Sequence, residues 1–213
     1  GLPENVDFSV LFYRTDIFEE LNLQVPETWD DVRAISSVLS KNNMEFGLPS
    51  GNGSYLMLLR QRDIPIYEAD GISCALDQVD AIRTFEEYTN LYVNYGLPLS
   101  FDFVNRFRSG EMPVGVASFG VYNSLQVAAP EIKGLWSMAK VPGSIREDGS
   151  VDHTTMAGGS AVMIIKNSEE YEAGWEFLKW WTSADVQVRY GRELESVLGP
   201  SGRYTSANSE AFA

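Results

Sequence analysis

The chain has 213 residues, 44% of them apolar and 22% charged, which allows one large domain or one and a half smaller ones. With 30 acidic against 16 basic side chains the net charge is −14, which argues against nucleic acid and anionic membranes as partners, since both are bound through surplus Lys and Arg; neutral and cationic ligands remain. One cysteine, Cys74, excludes an internal disulfide and a cysteine metal cluster, and no apolar run reaches the ~20 residues that cross a bilayer.

Residues 6–14 alternate, with Phe8, Val10 and Phe12 on one face, and predict a strand. A helix follows over 15–22. Thr28 then stands as a helix cap with Asp31 in the capping-box position, and Trp29, Val32, Ile35, Val38 and Leu39 supply the inward face of a helix ending near Asn42. Residues 45–49 read as a short strand. The Ser-Gly-Asn-Gly-Ser run at 50–54 is a loop opening a helix at Tyr55; free amides at such a start can cradle phosphate, but the lysine and spacing of a phosphate loop are missing, so a flexible loop is expected.

Residues 76–95 predict a long helix with Val79, Ile82, Phe85, Thr89 and Tyr92 on one side and Gly96-Leu97-Pro98 as its stop. Its adjacent Glu86 and Glu87 point about 100° apart, which suits a solvated face and not a catalytic pair. A helix over 100–109 and a strand over 112–118 come next. The aromatic loop Phe119-Gly120-Val121-Tyr122-Asn123 then opens a helix that Pro130 ends. Residues 135–141 read as a strand, and 142–156 as a polar excursion holding the hairpin dipeptide Asp148-Gly149. Asp148 and Asp152 lack the alternating carboxylates and closing Glu of a calcium loop, so a plain hairpin and no metal site are expected.

The stretch 156–181 organises the rest. Gly158 and Gly159 let the backbone turn sharply or admit a ligand closely. Residues 160–165 predict a buried strand, and Asn167 a helix cap with Glu170 as its box partner. Tyr171, Gly174, Trp175, Leu178 and Trp181 share one face of that helix, and Thr182 with Asp185 caps a last helix running to Gly199-Pro200. The tail from Ser201 is polar.

Local catalytic motifs are missing. The single histidine, His153, lies in the hairpin excursion beside no serine or cysteine at a motif spacing, and neither a Gly-x-Ser-x-Gly nor a His-Glu-x-x-His run occurs. A carboxylate pair for glycoside hydrolysis can always be imagined among 30 acidic residues, so that signal carries no weight.

Two stretches carry a resemblance. The first is Phe12-Tyr13-Arg14-Thr15-Asp16-Ile17-Phe18, then Leu23, then Pro26-Glu27-Thr28-Trp29-Asp30-Asp31-Val32. The second is Gly158-Gly159, an apolar strand, Asn167-Ser168-Glu169-Glu170 and the run from Ala173 through Gly174-Trp175-Glu176-Phe177-Leu178-Lys179-Trp180-Trp181 to Asp185. Together they resemble the extracellular solute-binding proteins, family 1, of ABC transporters for sugars, the group of the maltose-binding proteins. Gly110-Glu111, the strand at 112–118 and the aromatic loop after it match the same pattern.

The resemblance implies an α/β fold: one lobe of a periplasmic-binding-protein-like (type II) two-lobe fold plus a C-terminal helical return segment. Residues 1–157 would form the second, distal lobe, and 158–213 the crossover strand and helices that return to a first lobe absent from this chain. It implies non-catalytic capture of a mono- or oligosaccharide in an interlobe cleft, without a cofactor, and delivery to an ABC transporter permease, outside the cell, with a lipid anchor on the full-length parent. Segment by segment, the ligand-binding candidates are Ser54, Tyr55, Phe119, Tyr122, Asn123, Gly158 and Gly159. Sugars offer flat C–H faces that stack on aromatic rings, and hydroxyls that need amides and main-chain groups. Trp136, Trp175, Trp180 and Trp181 are expected in packing. The apolar faces of the last two helices would lack their usual cover, so the pair is expected either to fold back on the chain's own sheet or, in slight preference, to form a homodimer of the fragment through its Trp-rich face. The alternatives are a carbohydrate-active enzyme domain, and a partner-binding domain marked by an exposed apolar patch without a pocket.

Overall fold

The computed structural model describes residues 1–212. In chain order its first elements are β1 (Leu2–Arg14), α1 (Thr15–Glu20), α2 (Trp29–Lys41), β2 (Phe46–Gly47), α3 (Asn52–Gln61), α4 (Val79–Val93), α5 (Phe103–Ser109) and β3 (Val114–Ser118). There follow α6 (Val121–Ala128), β4 (Trp136–Ala139), β5 (Ser144–Ile145), β6 (Val151–Asp152), β7 (Ala157–Val162), α7 (Tyr171–Trp181), α8 (Ala184–Leu198) and α9 (Ser209–Phe212). Two compact units result. The larger holds residues 9–119 and 129–156, the smaller 1–8, 120–128 and 157 onward. The chain passes from one to the other after residues 8, 119, 128 and 156.

In the larger unit, the second half of β1 lies between β3 and β4, antiparallel to both, and β2 adds to β3 in parallel. Alternation along β1 sends neighbouring side chains to opposite faces. Leu11 joins Val114 and Val116 in a core closed by Trp29, Val32, Ile35 and Leu39 of α2, Met57 and Leu58 of α3, and Tyr88 and Leu91 of α4. Phe12 goes the other way, its ring centroid 5.9 Å from Phe103, 6.3 Å from Phe107 and 5.8 Å from Trp136. Each such fully buried side chain contributes on the order of 1.5–3 kcal/mol.

The expected cap of α2 forms in full: the Asp31 N–H donates to Thr28 Oγ1, and Asp31 Oδ2 accepts the Thr28 N–H at 2.8 Å. The hairpin also forms, with Gly149 in the left-handed region at φ 82° between β5 and β6. Helix α5 starts later than expected, where Asp102 Oδ1 accepts the Asn105 N–H.

Helix α4 differs in its buried face. Ala81, Thr84, Tyr88 and Leu91 point inward, and Val79, Ile82 and Phe85 stand outside. Polar ties turn the helix: Tyr88 bonds to Gly51, and Arg62 donates to Thr84 Oγ1 at 3.0 Å and to Glu87 Oε2 at 2.5 Å. Glu87 is therefore an ion-pair partner as well as a surface residue.

In the smaller unit, residues 2–8 of β1 pair antiparallel with β7. The strand expected buried at 160–165 is instead exposed and three residues earlier. Helix α7 begins at Tyr171 and not after Asn167, because the Ser168 N–H turns back to Ile165 O at 2.9 Å, leaving Glu170 as an N-cap without a side-chain bond. The Thr182 box is likewise unformed; Thr182 Oγ1 donates to Leu178 O, and Ser183 takes the N-cap position of α8. Trp181 packs on Tyr190 at 4.9 Å, and Tyr190 on Tyr204 at 5.1 Å. The first strand is tied in by Trp181 Nε1, which donates to Glu4 Oε1, and by the Tyr204 hydroxyl, which donates to Glu4 O. Buried Gln187 links Trp181 O to Ser206 Oγ. Trp136 and Trp181 pack as expected, whereas Trp175 is exposed on the same helix, and Trp180, with Tyr171 and Phe177, is 55% exposed, because the two α7 faces they occupy meet no other element of the unit among the described residues.

Candidate functional site

In the larger unit, β2 ends in the glycine loop that opens α3, one turn earlier than the sequence predicts. Gly51 has φ 138°, which a side chain would resist, and there is no atom within 4 Å of where its Cβ would stand. Helix α4 fixes the loop from behind. The Tyr88 hydroxyl accepts the Gly51 N–H and donates to Gly51 O, and the Tyr92 hydroxyl lies 3.3 Å from both Leu48 O and Pro49 O. Burial pushes the Tyr92 phenol well above its ordinary range, with Tyr88 adding to it, so it stays a neutral donor.

Over the loop is a hollow of about 200 Å³ lined by Ser9, the loop, Met57, Val116 and Met156. Ser54 belongs to it, its hydroxyl donating to Pro49 O at 2.6 Å, and Ser50 Oγ donates to Leu99 O at 2.6 Å. Both serine oxygens can still accept from a ligand hydroxyl. Tyr55 lies instead in the seam between α3 and α4. Its hydroxyl donates to Ala81 O, its ring meets Phe85 edge-on at 5.3 Å, and burial raises its pKa with the Cys74 thiol as a second cause. Phe119 is half-buried at the end of β3, three residues after Val116 of the hollow.

A second hollow of the same unit, of about 440 Å³, is lined by Tyr13, Val25, Pro26, Glu27, Ala139, Lys140 and His153. His153 Nδ1 lies 2.7 Å from Val141 O. A carbonyl can only accept, so the proton sits on Nδ1. Among the described residues no three His, Cys, Asp or Glu side chains gather to hold a metal ion.

In the smaller unit, Tyr122 and Asn123 occupy the first turn of α6, with the Asn123 N–H donating to Gly120 O at 3.1 Å. The Arg203 guanidinium carbon stands 5.7 Å from the Tyr122 ring centroid, and Arg203 Nε donates to Glu195 Oε1 at 2.8 Å. Those bonds, to Glu195 first and then to Tyr122, raise the Arg203 pKa further. Gly158 and Gly159 both lie in β7. A Cβ at Gly158 would meet open space, whereas one at Gly159 would fall 2.2 Å from Asn5 O, so strand pairing itself requires glycine there. The sequence places Tyr92 on one side of α4 without assigning it a partner, and singles out neither Tyr88 nor Arg203. Tyrosines four apart on a helix are a visible pattern, but their loop partner is not, and nothing local marks Arg203.

These two units have the fold of one lobe of a periplasmic-binding-protein-like solute-binding protein with its helical return segment. The bacterial extracellular solute-binding protein family model matches residues 2–188, and the chain belongs to that family. Among solved structures, an ABC transporter solute-binding protein from Thermotoga lettingae TMO bound with α-D-tagatose is 24% identical, with TM-score 0.69 over 91% of this chain and 52% of that one. Maltose-bound MalE3 of T. maritima is 19% identical, with TM-score 0.72 over 99% and 55%. The sugar-binding protein MalE of Xanthomonas citri is 20% identical, with TM-score 0.74 over 98% and 56%. The chain thus spans about half the length of these proteins. No curated protein sequence matches it. The family is extracellular, and among the described residues no helix is long and apolar enough to cross a membrane.

Proposed function

We propose that the chain is the distal part of a non-catalytic carbohydrate receptor for an ABC importer, taking a neutral mono- or oligosaccharide in an interlobe cleft and handing it to a membrane permease. The observation that carries this reading is the glycine loop at the end of β2, held rigid by Tyr88 and Tyr92 beneath an open hollow of serine and main-chain groups. Hydroxyl-rich ligands are held by such fixed polar groups with apolar walls, and the loop stands at a strand's carboxyl end, where open α/β sheets place ligands. Ser54 and the loop amides would bond hydroxyls; Phe119, Tyr122 and Asn123 would supply stacking and amide contacts, and Gly158 and Gly159 a close main-chain approach. Residues 1–157 would be the distal lobe and 158–213 the return segment, the parent being lipid-anchored at the cell surface.

With one jaw of the clamp, this chain would hold sugar only in the millimolar range or weaker, against roughly micromolar for a closed pocket. The exposed Tyr171, Phe177 and Trp180 side chains favour pairing of two copies through α7. Calorimetric titration with a carbohydrate panel, beside a hydrolysis assay on the same panel, tests the reading. Weak binding without hydrolysis is expected; turnover would establish an enzyme, and micromolar binding would refute the one-jaw account. Light scattering across a dilution series decides the pairing.

A further inference from the structure

We propose that the hollow lined by Glu27, Lys140 and His153 is a second ligand site, taking a small zwitterion of the amino-acid type whose ammonium meets Glu27 and whose carboxylate meets Lys140. It is separate from the hollow over the glycine loop, and among the described residues the two have no lining residue in common. The proposal therefore stands whether or not the chain takes sugar. A volume of about 440 Å³ falls within the ~300–1,000 Å³ of small-molecule sites. Tyr13, Val25, Pro26 and Ala139 give the walls apolar surface for the body of a ligand. Charges of both signs stand at the same hollow. Glu27 and Lys140 are exposed, and neither joins an ion pair among the described residues. A plain anion would meet Glu27 in a chain already at −14, and a plain cation would meet Lys140. A ligand that carries both charges can satisfy both side chains.

His153 adds a third polar group, and its ring is already oriented. The Nδ1–H donates to Val141 O at 2.7 Å, so Nε2, which has no partner among the described residues, is left as an acceptor for an N–H of the ligand. The main chain around the hollow is fastened too. Buried Gln61 donates through Nε2 to Pro142 O and to Thr154 O, both at 3.0 Å, while its Oε1 accepts the Trp29 indole N–H at 2.8 Å. The Gly143 N–H donates to Glu27 O at 2.8 Å, and the Glu27 N–H to Asp31 Oδ2 at 3.1 Å. Tyr13 is set against Phe18 with ring centroids 5.4 Å apart. Walls that come from distant parts of the chain are thus tied together before any ligand arrives, which spares the ordering cost of binding.

The test uses the 213-residue chain, whose single histidine gives one imidazole Cε1–H signal in proton NMR. At one fixed, mildly alkaline pH, L-phenylalanine is titrated beside two analogues that each lack one charge, hydrocinnamate and phenethylamine. Saturable displacement of the signal by L-phenylalanine is expected, with both analogues binding more weakly. Lys140→Gln should weaken L-phenylalanine about two- to fivefold, the range of an exposed ion pair, and leave phenethylamine no weaker; Glu27→Gln should weaken L-phenylalanine similarly and leave hydrocinnamate no weaker. No displacement by L-phenylalanine overturns the proposal. Equal affinity for all three compounds also overturns it, because the hollow would then be an apolar pocket that does not select charge. A variant that weakens L-phenylalanine and the analogue lacking the matching charge by the same factor does so too, since the change would lie in the fold. If a variant fails to fold, the three compounds on the parent chain decide alone. Maltose should leave both the His153 signal and the affinity for L-phenylalanine unchanged; competition between them would merge this hollow with the sugar site and overturn its standing as a second one.

Discussion

The Tyr88 hydroxyl closes a two-way bond with Gly51, accepting its N–H at 2.7 Å and donating to its carbonyl oxygen at 3.0 Å. One phenol thereby bonds both main-chain groups of the residue that caps α3 with a φ of 138°, where the Gly51 carbonyl also accepts the Tyr55 N–H at 3.5 Å. Tyr88→Phe keeps the ring in the core and removes only this link. It should lower stability by about 1 kcal/mol, since the Gly51 N–H loses its partner while the carbonyl keeps the Tyr55 N–H, and speed hydrogen exchange at Gly51. Unchanged exchange would mean that the loop holds its shape without help.

Arg14 is buried at the end of β1, where its guanidinium meets Asp16 through Nε at 2.9 Å and Nη2 at 2.6 Å and also donates to Phe107 O. The hydrogen bond from Arg14 is the main reason that the Asp16 carboxyl lies below its ordinary pKa. A depressed carboxyl adds stability above the unfolded-state value and loses it as pH falls through the folded one. Asp16→Asn should therefore cost about 1–2 kcal/mol at neutral pH, less than a fully buried pair because Asp16 is partly solvated, and should flatten the acid limb of the stability curve. Parallel limbs in variant and parent would remove Asp16 from the acid response.

Gly158 and Gly159 should behave differently although adjacent. Gly159→Ala puts a methyl 2.2 Å from Asn5 O, a main-chain atom that can move only with β1, and should cost about 1–3 kcal/mol. Gly158→Ala meets no atom within 4 Å and should change the melting temperature little. Equal melting temperatures for the two variants would show that β1 and β7 part easily.

What could be read from the sequence was local, and what could not was carried by distant partners. The Thr28 capping box and the Asp148-Gly149 turn each depend on residues within a few positions, and both form as expected. Helix α4 shows the limit: Val79, Ile82 and Phe85 make the better apolar stripe, yet Gly51 and Arg62, from other elements, pull Tyr88, Thr84 and Glu87 inward. The start of α7 failed for a related reason, since Asn167 is a good cap in isolation but its neighbour Ser168 is taken by a turn. In the candidate site the glycine loop was visible as composition. Its support by Tyr88 and Tyr92, and the contact of Arg203 with Tyr122, depend on tertiary structure alone.

Alkaline titration should reveal Tyr204. Burial, aided by the charge of Glu4 and the proximity of Tyr190, pushes its phenol up to about 12. A raised acid pKa means that the fold favours the neutral form, so its contribution is complete below the ordinary value of 10 and is lost as pH rises from 10 towards 12. Tyr204→Phe should remove part of the fall in melting temperature across that window while losing the bond to Glu4 O. An identical fall in the variant would assign the alkaline loss elsewhere, with buried Tyr92 the first alternative.

The chain passes between its two units after residues 8, 119, 128 and 156, and this has a genetic consequence. No stop codon and no single proteolytic nick can release either unit intact, because the smaller one is assembled from three separate stretches of the gene. A message ending after Met156 would encode all of the larger unit, but would also encode a leading strand whose partner β7 is missing and a helix α6 whose Tyr122 has lost Arg203. Expressing the larger unit cleanly therefore requires two edits besides the stop: removal of the first eight residues, and a short linker in place of 120–128.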